Sequence, residues 1–178
     1  MATKTWALDP IHSEVQFKIK HLMITNVTGS FDIFTVSAQT EGEDFSKAKI
    51  SFTADVNSIS TNNEQRDGHL KSTDFFDAEK FPQIKFEATK SENVDSDGSY
   101  ELYGDLTIRD VTKNVKLSVE FGGVVQDAYG NTKAGFTING KINRKDFGLT
   151  WSAVTEAGGV VVSDEVRITA EIQLIEQA

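Results

Sequence analysis

Apolar and polar residues alternate along most of this chain, the period of a strand with one face buried. In residues 12–21, Val15, Phe17, Ile19 and His21 share one face, and Gln16, Lys18 and Lys20 share the other. Residues 49–60 repeat the pattern, with Ile50, Phe52, Ala54, Val56 and Ser58 inward. Further apolar faces follow: Ile84, Phe86 and Ala88; Tyr100, Leu102, Gly104, Leu106 and Ile108; Val115, Leu117, Val119 and Phe121; Ala134, Phe136, Ile138, Gly140 and Ile142; Val166, Ile168, Ala170, Ile172 and Leu174. A short first strand over 4–9 is closed by Pro10, Gly29 marks a bend or bulge, and the phase of 30–40 slips between Ile33 and Phe34, which predicts a second bulge. Turns are expected at 95–99, where Gly98 suits a positive φ, and at 127–131. No segment offers a crossover helix, so the strands pair antiparallel. The expected fold is all-β: one domain over 1–178, an antiparallel barrel or sandwich of about eight strands. The run 151–163, with Gly158 and Gly159, is irregular.

Residues 58–86 break the alternation. Glu64, Arg66, Asp67, His69 and Lys71 crowd together, followed by Phe75, Phe76 and Phe81. Thr61 and Glu64 have capping-box spacing, which predicts a short helical insertion near 61–72, with Gly68 limiting its length. Pro82 holds Phe81 extended and starts a new strand. The insertion has a charged and an aromatic side, and reads either as a portal or lid or as a loop covering the end of the core.

Small residues interrupt the apolar faces at Ala54, Ala88, Gly104, Ala134, Gly140 and Ala170. If they cluster, they leave a lumen that Phe17, Phe52 and Phe86 line without filling. The other reading is a filled barrel in which small residues fit the taper. A lumen of this lining would take an apolar, elongated guest. Alternation assigns it Phe17, Ile19, Phe52, Ala54, Val56, Phe86, Leu102, Leu106, Phe136 and Ile138.

Composition narrows the partners. The 178 residues carry a net charge of −9, which argues against nucleic acid and against anionic membrane surfaces. There is no cysteine, so disulfides and thiolate chemistry are excluded. No window is long and apolar enough to span a bilayer as a helix, so no stable membrane insertion is expected. The first residues lack the pattern of a secretory leader, and a cytoplasmic location is the expectation; the alternative is a periplasmic or secreted mature chain with an added Met1.

Candidate chemistry is sparse. His12, His21 and His69 have no ligand spacing, so no metal or other cofactor is expected. Arg66, Asp67 and His69 could act as an acid–base group, although an Arg–Asp pair on a short helix is more often a local ion pair. No phosphate-loop or nucleophile-elbow motif is present, and no catalytic residue is assigned. Lys113, Lys116, Arg144 and Lys145 read as scattered, solvated charges.

Taken together, W-A-L-D-P-I-H-S-E-V-Q-F-K-I-K-H, G-S-F at 29–31, S-I-S-T-N-N-E-Q-R-D-G-H-L-K-S-T-D-F-F-D, F-P-Q-I-K-F, G-D-L-T-I-R-D-V-T-K, N-R-K-D-F-G and S-D-E-V-R-I resemble the YceI-like family, in order and over nearly the whole chain. The resemblance implies a lipocalin-like, extended barrel around a polyisoprenoid or similar lipid, in a family some of whose members are linked to isoprenoid quinone metabolism or stress. It implies a structural or portal role for His12, His21, Arg66, Asp67 and His69, with Phe75 and Phe76 beside them. Many members carry a secretory signal. The family usually has glycine after the L-T-I-R block, where this chain has Asp110; a changed turn is expected there, away from the lumen. The leading expectation is a carrier or store for a long-chain isoprenoid or fatty lipid, with a homodimer open as its assembly. The alternatives are an enzyme acting on a lipid head group at the open end, and a protein-binding module.

Overall fold

The structure, a computed structural model, describes residues 2–22, 24–149 and 162–177. Among these described residues, eleven strands run in the order β1 (Thr3–Leu8), β2 (Glu14–His21), β3 (Thr25–Phe31), β4 (Phe34–Glu41), β5 (Asp44–Asp55), β6 (Ile59–Ser60), β7 (Gln83–Glu92), β8 (Tyr100–Ile108), β9 (Val111–Gln126), β10 (Thr132–Asn143) and β11 (Val162–Glu176), with one helix, α1 (Glu64–Lys71), between β6 and β7. All pairings are antiparallel. The expected irregular run 151–163 lies outside the described residues up to its last two positions, which belong to β11.

The eleven segments close an eight-stranded barrel because three of the staves are broken. β1 and β2 both lie along β11, with Leu8 opposite Leu174 and Glu14 opposite Glu171; Pro10 interrupts the stave between them. β3 and β4 form the next stave, broken at Asp32 and Ile33, where the slipped phase predicts a bulge. The amides freed there donate to Ser58: Asp32 N–H to its carbonyl at 3.2 Å and Ile33 N–H to its hydroxyl at 3.0 Å. β5 and β6 form the third stave, broken at the 3-10 turn Val56–Ser58, which the Asp55 carboxylate caps. Breaks of this kind let long strands coil around a narrow barrel.

One end is closed by aromatic packing. Trp6 is fully buried, and its indole N–H donates to Thr40 Oγ1 at 2.9 Å. Phe45 lies 4.9 Å from the ring centres of both Trp6 and Phe136, and Phe121 packs on both Phe45 and Phe136. These rings form the floor. The hairpins at this end turn through Gly98, at the positive φ expected of it (87°), and through Gly130 at φ 84°. At the opposite end the β8–β9 hairpin turns through Arg109 and Asp110; its positive φ of 55° falls on Arg109.

Candidate functional site

Between the floor and the open end lies a cavity of about 410 Å³, within the range of small-molecule sites. β11 lines it with Val166, Ile168, Ala170, Ile172 and Leu174. At ~3.3 Å per residue that run covers ~25 Å of strand, or ~20 Å along the axis at a strand tilt of ~40°. The site is therefore elongated. Its walls are almost wholly apolar. Among the described residues, most of the polar side chains that reach it, namely His21, Thr61, Arg66, His69 and Arg144, come from the open end; Gln16 in the wall and Tyr100 at the floor are the others. Burial pushes the Tyr100 phenol up to about 12.

Nine of the ten residues that alternation assigns to the lumen line this cavity: Phe17, Ile19, Phe52, Ala54, Phe86, Leu102, Leu106, Phe136 and Ile138. Val56 does not. The alternation of β5 ends at Asp55, and the buried Val56 starts the 3-10 turn, its amide donating to the Pro82 carbonyl at 2.9 Å. Of the six small residues, only Ala54 and Ala170 touch the cavity.

The glycines act differently from expectation. Gly29 is not a bulge; it sits in regular β3 opposite Phe17, and a Cβ there would lie 2.3 Å from the Phe17 ring. A Cβ on Gly104 would meet the Phe86 ring at 2.3 Å, and one on Gly140 the Leu117 side chain at 2.4 Å. Phe17, Phe86 and Leu117 all line the cavity. Each lies flat on a neighbouring strand at a place without a side chain. The wall thus absorbs their bulk, and the lumen stays open although large residues line it.

The open end is built by the insertion. The helix starts at Glu64, not Thr61, and its cap is Asn63, whose side chain accepts the Arg66 amide at 3.0 Å. Gly68 does not stop it; it runs on to Lys71. Thr61 has another role. It is 4% exposed; its amide and hydroxyl donate to Asp67 Oδ1, and its hydroxyl and carbonyl accept from Arg66 Nε and Nη2 at 2.8 and 2.7 Å. Thr61 thus latches the helix to β6. Phe76 packs edge-on against Phe31, which contacts Phe17, so an aromatic column runs from the insertion into the wall.

The portal assignment divides. His21, Arg66, His69, Phe75 and Phe76 line the mouth. His69 Nε2 lies 2.8 Å from Asp74 Oδ2, and its ring stands edge-on to Phe75. Asp67 faces Thr61 and not the cavity. His12 is elsewhere, on the outside of the barrel where β1 gives way to β2. There Asp9 accepts from Lys133 Nζ at 2.8 Å and lies 2.8 Å from His12 Nδ1. The Lys133 ammonium, with His12, holds the buried Asp9 carboxyl down to about 2. His12 is therefore apart from His21 and His69, and no metal-binding cluster of acids and histidines occurs among the described residues.

Arg144 corrects the expectation of a solvated charge. It is 2% exposed and reaches the cavity, with Nε donating to the Ser163 carbonyl at 2.9 Å and Nη1 to the Leu149 carbonyl at 2.7 Å. Its signal was the N-R-K-D-F-G break: Asn143 caps a 3-10 turn that Gly148 ends at φ 79°. Phe31, Phe45, Tyr100 and Leu70 are also cavity residues outside the sequence-based set.

A closed barrel with an apolar lumen and a polar rim defines a small-ligand-binding barrel. The YceI-like domain family matches residues 6–174, and the chain belongs to it. A UPF0312 protein of Staphylococcus aureus strain N315 is 39% identical over 169 residues, covering 94% of this chain and 95% of that one. The crystal structure of a Campylobacter jejuni YCEI protein is 35% identical with a TM-score of 0.76, over 96% of this chain and 97% of the other. A polyisoprenoid-binding domain from Saccharophagus degradans shares the fold at a TM-score of 0.63 and 15% identity, over 97% and 98% of the two chains.

Proposed function

We propose that this protein binds a long-chain apolar lipid of the isoprenoid type along its lumen and carries or stores it. The observation behind the reading is the elongated cavity with an apolar wall and its polar groups gathered at one end. Such a site favours a guest by burial alone, at roughly 0.8 kcal/mol per CH₂ removed from water. A long chain then binds tightly with few directional contacts, and a polar head stays at the mouth beside Arg66 and His69. The fold shared with a polyisoprenoid-binding domain makes isoprenoid chains the first class to try. Head-group catalysis is the weaker reading, because Arg66 and Asp67, two of its three candidate groups, are engaged by Thr61.

Stripped protein should be titrated with polyprenols of increasing length while its melting temperature is followed. Chains long enough to span the lumen should raise it, since a ligand that binds only the folded state stabilises it. Equal effects of short and long chains, or none at any length, would contradict the reading.

A further inference from the structure

The outer surface of the barrel carries a second feature, which the net charge conceals. Pairing between β9 and β10 runs from Thr132 opposite Gln126 to Gly140 opposite Leu117 and then stops, although both strands continue toward the mouth. The strands part, and a crevice opens on the outside. Lys18, Lys113, Lys116, Lys141 and Arg167 line it, with Asp146 as the one acidic residue in the lining among the described residues.

Three of these cations face one another across adjacent strands: Lys141 is opposite Arg167, and Arg167 is opposite Lys18. Like charges directly opposite in a sheet are destabilising. Glu165 relieves the row only at a distance, 3.8 Å from Lys141 and 3.7 Å from Arg167, and all three are exposed. A chain of net charge −9 that nonetheless gathers five cations in one place keeps a site for anions. The hairpins at the floor bear the opposite sign, with Glu41, Glu43, Asp44, Asp95 and Asp97. The floor is therefore strongly acidic, while the mouth mixes Glu64, Asp67, Asp74, Asp77 and Glu79 with Arg66, Lys71 and Lys80, so an anionic surface would repel the floor and be met by the basic row. The β2–β3 hairpin beside the basic row also exposes Ile24 (79%) and Leu22 (39%), apolar side chains of the kind that enter a bilayer interface.

We infer that this basic face, formed by β9, β10, β11 and β2, docks the barrel on an anionic lipid bilayer with its mouth at the surface. The inference rests on the lumen reading for its purpose, since an apolar guest must leave and enter through a bilayer, but not for its measurement.

The test is co-flotation of the protein with vesicles of equal parts phosphatidylcholine and phosphatidylglycerol, and with pure phosphatidylcholine. Binding should require the anionic lipid and weaken as salt is raised. The combined change Lys18→Glu, Lys141→Glu and Arg167→Glu should weaken it roughly a hundredfold or more. The same charge change on the opposite wall, Lys47→Glu, Lys49→Glu and Lys85→Glu, should weaken it far less. Melting temperatures and lumen contents are measured for each variant, so a folding defect is seen separately. Equal affinity for both vesicle types, or equal loss from both triple variants, would overturn the inference. So would retention on immobilised polyglutamate without vesicle binding, which would assign the face to an acidic protein. Lipid-loaded protein that ignores anionic vesicles would refute docking and leave the lumen reading standing; empty protein that still binds them would do the reverse.

Discussion

At the scale of single residues, the glycines decide how much room the lumen has. Phe17 and Phe86 are legible in the sequence as inward residues, because period two fixes the face. Which way a ring then lies on that face depends on the strand beside it, and pairing partners are not written in local pattern. The glycine contacts separate two outcomes. At Gly29, the three atoms nearest to an added methyl group all belong to the Phe17 ring. Gly29→Ala should therefore swing the ring into the lumen, leaving melting close to wild type and reducing the amount of long-chain lipid bound per protein. At Gly104, a methyl group would also meet the backbone carbonyl of Glu87 at 2.7 Å, which cannot swing aside. Gly104→Ala should cost ~1–3 kcal/mol in urea denaturation. Equal stability of the two variants would contradict this account of the wall.

Asp9 supplies a pH-dependent prediction at the same scale. Its folded pKa, about 2, lies below its ordinary 3.8. Its contribution to stability is therefore present above about pH 4 and lost as pH falls through 2. Asp9→Asn should destabilise the protein clearly at pH 7 and progressively less as the pH falls through that window. A penalty independent of pH would show that the Lys133 and His12 contacts do not stabilise the fold. In the sequence Asp9 appears only as a residue before proline; its partner Lys133 is far along the chain, so no local signal announced the pair.

At the scale of elements, the insertion shows how a correct element can carry an incorrect cap. Thr61 and Glu64 have the spacing of a capping box, yet the chain has Asn63 closer to the helix, and Asn caps at least as well as Thr. Thr61 is thereby released to hold Arg66 and Asp67. Asn63→Ala should cost on the order of 1 kcal/mol. Thr61→Val should cost more, since it removes the hydroxyl that both donates to Asp67 and accepts from Arg66 in a residue that is 4% exposed. Urea denaturation of both variants checks the order, and the reverse order would mean that the Thr61 latch holds the helix less firmly than its Asn63 cap. The N-R-K-D-F-G segment shows a different limit. Its break from alternation was legible, but the burial of Arg144 was not, because carbonyls of Leu149 and Ser163 satisfy it only once the chain has turned back.

At the scale of the whole molecule, antiparallel strands at hairpin spacing narrowed the fold to a barrel or sandwich of about eight strands, and the family resemblance pointed to the barrel. The breaks that make eleven segments into eight were partly legible, at Pro10 and at the slip near Ile33, and missed at Val56. The character of the interior was left open between a filled core and a lumen, because small residues serve both. Ala54 separates them: it is 1% exposed and borders the cavity. In a filled core, Ala54→Trp would overpack and cost ~1–3 kcal/mol or more; in a lumen, the indole takes the space of the guest. The most direct measurement is mass spectrometry of organic extracts from purified wild-type and Ala54→Trp protein, with a melting curve for each. The account predicts a long-chain lipid in the wild-type extract, and a folded Ala54→Trp variant that melts near stripped wild type and yields none. A wild-type extract without lipid from a protein whose melting is unchanged by extraction, or an Ala54→Trp variant that unfolds, would contradict it.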